Sequence, residues 1–169
     1  MTLSKKTLAA ITLGMALMLG STAVAADRDS WTDVVRDVEI EMAAIAEHAA
    51  KLDQWVEMPR QFDTLTQHRY EWTGIQDRFN NVGNLIPKLQ KASMNATDWQ
   101  KEAVNEMTSL IQAMKPQIET GMTYVSETAT VERLLADEMY ELRIQSVTRY
   151  ADHIDRLIQY VQTRTSASS

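Results

Sequence analysis

The chain has 169 residues, of which 17 are Lys or Arg and 23 are Asp or Glu, giving a formal net charge of −6. Its basic residues are scattered through an acidic background, which argues against nucleic acid or an anionic membrane surface as a partner. It contains no cysteine, so a disulfide framework, a thiolate metal site, a cysteine nucleophile, covalent c-type haem and a lipidated cysteine are all excluded.

The opening stretch "MTLSKKTLAAITLGMALMLGSTAVAA" reads as a secretory signal peptide over residues 1–26. Lys5 and Lys6 form the charged region, Leu8 to Leu19 the apolar run, and Ala23 and Ala25 the small pair before the cut. An apolar run of about a dozen residues falls short of the ~20 needed to span a bilayer. Cleavage after Ala25 or Ala26 is expected, which would send a mature chain starting at Ala26 or Asp27 to the periplasm or the medium. Loss of Lys5 and Lys6 would make that chain more acidic still.

Four amphipathic helices are expected over residues 27–163. In the first, Trp31, Val35, Val38, Met42, Ile45, Ala49, Leu52 and Val56 recur at spacings of four and three, an unbroken seam. Asp29 or Ser30 can cap it and Pro59 ends it. The second runs from about Arg60 to Lys91 with the seam Leu65, His68, Trp72, Ile75, Phe79, Val82, Ile86 and Leu89. Pro87 lies inside it and deprives the Gly83 carbonyl of its donor. A kink between Gly83 and Pro87 is expected, with a break after "NNVGN" as the alternative.

Thr97 and Gln100 form a capping box for the third helix, which carries Val104, Met107, Ile111, Met114, Ile118 and Val125, with Gly121 between the last two. Pro116 sits inside it and frees the Gln112 carbonyl. The fourth helix is expected from about Val131 to Thr163. Leu135, Met139 and Leu142 form its early stripe; Val147, Ala151, Ile154, Ile158 and Val161 form the late one, with a change of phase near Ile144. Residues 164–169 read as a disordered tail. Strand signals are nearly absent. The fold class is therefore all-α, an up-down-up-down four-helix bundle.

Heights along such a bundle bring residues together. Trp31, Trp99 and Tyr160 fall at one end, where an aromatic cluster closes a core more often than it stacks a ligand. His68, the polar member of an apolar seam, falls level with Ala49, near Ile118 and near Met139 or Tyr140. As a core residue it would be neutral, and His68→Leu would be neutral or stabilising at pH 7. As a haem ligand it would take Met139 or Met122 as its axial partner. The signal peptide, the short bundle and the His and Met supply resemble the periplasmic b-type cytochromes of the four-helix class. That resemblance implies Met42 on the first helix and His153 on the last as ligands.

Ferritin-like di-iron sites need Glu-x-x-His on two helices, but Ile45, Leu65 and Tyr150 stand three residues before His48, His68 and His153. Met42, Met107, Met114 and Met139 lie on core stripes, so packing accounts for them better than soft-metal handling. Catalytic signatures such as G-x-S-x-G, a glycine-rich phosphate loop and H-E-x-x-H are missing. Two of three positions match the Leu-Thr-x-x-Gln pattern of exported Spy-type chaperones, Leu65 and Thr66, with Arg69 in place of Gln. With "TDWQKEAVNEMTSLIQAM" opening helix 3, the plan also resembles a group of exported bacterial four-helix-bundle proteins of unassigned role. The expectation is a non-catalytic binding module without a cofactor and with a protein partner. The alternative is a haem- or metal-binding carrier or storage bundle.

Overall fold

The computed structural model describes residues 31–57 and 64–167. The expected signal peptide, the Asp29 and Ser30 caps and the Pro59 stop lie outside those residues. The described chain is all-helical. Four long helices, α1 (Trp31–Glu57), α2 (Thr64–Ser93), α3 (Asp98–Glu127) and α5 (Glu138–Ala167), are accompanied by one short helix, α4 (Val131–Leu135). Helix α1 packs on α2 and α5, and α3 packs on the same two. None of the described helices is long and apolar enough to cross a membrane.

The seams explain this packing. In α1, Val35, Val38, Met42, Ile45, Ala49 and Leu52 are all buried, joined by Val34. In α2, Leu65, His68, Trp72, Ile75, Phe79, Val82 and Leu89 are buried, and Ile86 is half-buried against them. The α3 seam is buried throughout, Gly121 included. Full burial of one large apolar side chain contributes roughly 1.5–3 kcal/mol, so these stripes decide which faces meet. Polar ties run outside them. Arg143 Nη1 donates to Gln117 Oε1 at 2.6 Å, Gln162 Nε2 to Glu39 Oε2 at 2.8 Å, and Arg69 Nε to the Val125 carbonyl at 2.9 Å.

The start of α3 is built as its sequence requires. Gln100 Oε1 accepts from the Thr97 N–H at 2.9 Å and from the Thr97 hydroxyl at 2.8 Å. Helix α2 runs unbroken across Pro87 and α3 across Pro116, so the break after "NNVGN" does not occur.

The expected fourth helix is corrected in two places. It is not continuous from Val131, because α4 stops at Leu135 and α5 begins at Glu138. The cause is Asp137, whose Oδ1 accepts from the Met139 N–H at 2.9 Å. A carboxylate taking a helix-start N–H restarts the ladder and resets its phase. Leu134, Tyr140 and Ile144 therefore face the core, whereas Met139 and Leu142 are exposed and Leu135 is half-buried. At the other end the helix continues through Ala167, past the Thr163 limit. There Thr165 Oγ1 donates to the Val161 carbonyl at 2.8 Å and Ser166 Oγ to the Gln162 carbonyl at 3.0 Å, so residues 164–167 are helix and not a disordered tail.

Pro87 is exposed and fills no place in the core. Pro87→Ala restores an N–H to the Gly83 carbonyl and relieves the ring's pressure on it. Thermal and urea unfolding should show stabilisation of about 1–3 kcal/mol.

Candidate functional site

The polar centre of the molecule is a chain of three side chains from two helices. On α2, His68 and Trp72 are one turn apart and both have zero exposure. Tyr140, brought inward by the restart at Asp137, meets them from α5. Trp72 Nε1–H donates to Tyr140 Oη at 2.9 Å, and Tyr140 Oη lies 2.8 Å from His68 Nδ1. Indole can only donate, so the phenol oxygen accepts there, and the phenol's own proton finds an acceptor in His68 Nδ1 when the neutral imidazole carries its proton on Nε2. That atom is buried and has no hydrogen-bond partner among the described residues.

Aromatic edges surround the chain. The rings of Tyr140 and His68 meet at 5.6 Å and 63°, and those of Tyr124 and Tyr140 at 6.1 Å and 67°. Helix α3 approaches through Gly121, where an added Cβ would stand 2.3 Å from Trp72 Cη2. Burial pushes the His68 imidazole down to about 4, because a charged ring in this surrounding loses its water. Burial also raises the Tyr140 phenol above its ordinary range, against the lowering effect of the Trp72 N–H. Both groups are neutral at pH 7, and protonating Nδ1 would turn the acceptor of the Tyr140 proton into a second donor.

A second histidine, His48, occupies a notch between α1 and α2. Its Nδ1 lies 2.6 Å from Glu71 Oε2, and Glu71 is only 6% exposed. Gly74 makes the room: a Cβ there would stand 2.5 Å from His48 Cε1. Sequence reasoning found neither the pair nor the notch. The available signal was an isolated glycine inside a helical pattern, which usually has a packing reason.

Two of the candidate haem ligands, Met139 and His153, face outward. Met139 is 43% exposed on the outer side of α5, while the adjacent Tyr140 takes the place beside His68. Met42 is buried in the α1 seam. His153 is exposed, with Nε2 3.5 Å from Glu106 Oε1. Among the described residues no group of three His, Asp or Glu side chains could hold a metal ion. At the end expected to hold an aromatic cluster, Trp99 and Tyr160 meet edge-on at 6.4 Å and 82°. Arg164 lies over Trp99 at 4.8 Å, a cation–π contact. Trp31 lines a neighbouring groove with Val161 and Thr165.

Comparison with known proteins found no family model, curated protein or solved structure that matches this chain.

The Tyr140 contact changes what His68→Leu should do. Leucine removes the acceptor of the Tyr140 proton, and an orphaned buried hydroxyl costs about 1–3 kcal/mol, so the variant should be destabilised at pH 7. The pH dependence has a definite sign. The folded-state value of about 4 lies below the unfolded value of about 6.5, so the unfolded chain binds the extra proton between them. Stability is therefore complete above about 6.5 and lost as pH falls toward 4, by up to about 3 kcal/mol. Unfolding followed across that range should show a shallower loss in His68→Leu.

Gly121→Ala tests the close approach of α3 to the Trp72 indole. The indole must shift out of hydrogen-bond register with Tyr140, and a loss of about 1–3 kcal/mol is expected despite alanine's better helix propensity. An unchanged or raised melting temperature would show that Trp72 has room to move.

Proposed function

We propose that this protein is an exported four-helix bundle of up-down-up-down topology that acts as a non-catalytic binding module for another protein. One observation carries the reading. The interior is filled by its own side chains, with its polar centre engaged in the Trp72, Tyr140 and His68 chain, while several large apolar side chains face outward. Ile40, Tyr70, Met94, Met139 and Leu142 are all exposed, Ile40 beside Leu85 in a groove between α1 and α2, and such apolar area is what a partner would cover. The absence of a cysteine and the acidic charge suit an extracytoplasmic protein that avoids polyanions.

Photocrosslinking from Ile40, Tyr70, Met139 and Leu142 in exporting cells tests the partner. A discrete protein adduct from at least one position is expected. No adduct from any of them, together with a Soret band or stoichiometric metal in the purified protein, would replace this reading with that of a carrier. The intact mass of the exported form should begin at Ala26 or Asp27, and retention of Met1 would overturn export with cleavage.

A further inference from the structure

The end of α3, the short helix α4 and the step into α5 enclose a space of about 510 Å³, within the range of small-molecule clefts. Its walls are held from behind. Leu134 seats α4 in the core at 1% exposure, Arg69 on α2 holds the Val125 carbonyl at 2.9 Å, and the Thr130 hydroxyl accepts the Arg133 N–H at 3.4 Å. Tyr124, half-buried in the lining, packs edge-on against Tyr140. The cleft is therefore formed before any ligand arrives.

Two opposite charges line it, Glu127 from the last turn of α3 and Arg133 from α4. They do not pair. Neither the Glu127 carboxylate nor the Arg133 guanidinium has a hydrogen bond or an ion pair with any described residue, and the Tyr124 hydroxyl is likewise without a partner. Elsewhere on the surface neighbours of opposite sign do meet, as Lys51 does with Glu47, Arg78 with Glu41 and Lys115 with Glu119. Asp137, the remaining charge of the lining, is already engaged with the Met139 N–H.

We propose that this cleft binds a free α-amino acid, its carboxylate on Arg133 and its ammonium on Glu127. The lining chooses among ligand classes. A bare anion would meet Arg133 but also face Glu127 and Asp137, and a bare cation would face the guanidinium. A neutral sugar would leave both open charges unmatched. An amino acid carries both charges on one carbon, so each finds an opposite partner. A guanidinium can take a carboxylate through two parallel N–H bonds, and the Tyr124 hydroxyl can accept from the ammonium. None of the outward apolar side chains assigned to a protein partner lines the cleft, so the two readings stand independently.

Isothermal titration calorimetry of the full chain against each standard amino acid at millimolar concentration tests the proposal. Saturable binding of at least one is expected. That ligand is then titrated against Arg133→Gln and Glu127→Gln, both at exposed positions, whose melting temperatures should stay near that of wild type. Each variant should weaken binding about ten- to a hundredfold. Two analogues separate the contacts. The decarboxylated amine should bind wild type weakly and be indifferent to Arg133→Gln, and the N-acetyl derivative should bind weakly and be indifferent to Glu127→Gln. Lack of saturable binding by every amino acid would overturn the site, as would unchanged affinity in both variants or an analogue that binds as tightly as its parent. Each of these outcomes leaves the protein-partner reading standing.

Discussion

The fold turns on a single phenol oxygen. Among the described residues Tyr140 Oη is the one atom bonded to both Trp72 Nε1 and His68 Nδ1, and it sits on a different helix from both. Apolar seams repeat, and a helix displaced by one turn still finds methyl groups to touch. The hydrogen-bonded chain does not repeat. Moving α5 by a turn would bury an indole N–H and an imidazole nitrogen without partners, each at a cost of about 1–3 kcal/mol. A buried polar network of this kind specifies one register more sharply than it adds stability. Gly121 extends the constraint to α3, because only a residue without a Cβ can close on the Trp72 indole at that distance.

The parts of this architecture that were legible in the sequence are those carried by local or periodic signals. Seven-residue spacing identified almost every buried position of α1, α2 and α3. The Thr97 and Gln100 pairing marked the start of α3, and the inward place of His68 followed from its seam. Height along the bundle brought Tyr140 to the same level. What sequence alone did not reveal was which of Met139 and Tyr140 would turn inward. That choice depends on Asp137 capturing the Met139 N–H, a local competition that a stripe running through "LLADEMYEL" conceals. The same local chemistry hid the true extent of α5, where hydroxyls of Thr165 and Ser166 fold back on the final turn.

The two ring notches were illegible for a different reason. Gly74 and Gly121 are ordinary helix-weakening residues when read along the chain, each less favourable than alanine by about 1 kcal/mol. Their value lies in what arrives from another helix: the His48 ring at Gly74 and the Trp72 indole at Gly121. The His48 and Glu71 pair needs this intimacy, since a carboxylate as buried as Glu71 requires a donor close by. In each case the glycine and the ring lie on different helices, so no spacing rule along the chain connects them.

The prolines differ from these glycines in that nothing in the core explains them. Pro87 and Pro116 are exposed, each gives up a helical hydrogen bond, and each sits in a helix whose buried seam is already complete. A sequence locally consistent everywhere else tends to break its own rules where function requires it. The two breaks are on neighbouring helices, and Gly83 and Gln112, each four residues before a proline, line one groove. Bare glycine backbone at Gly83 and a run of neutral amides complete that surface. The interior polar chain fixes the register of α2 against α5, and the close approach of Gly121 to the Trp72 indole does the same for α3. The closed core therefore sets which residues of α2 and α3 line the groove between them.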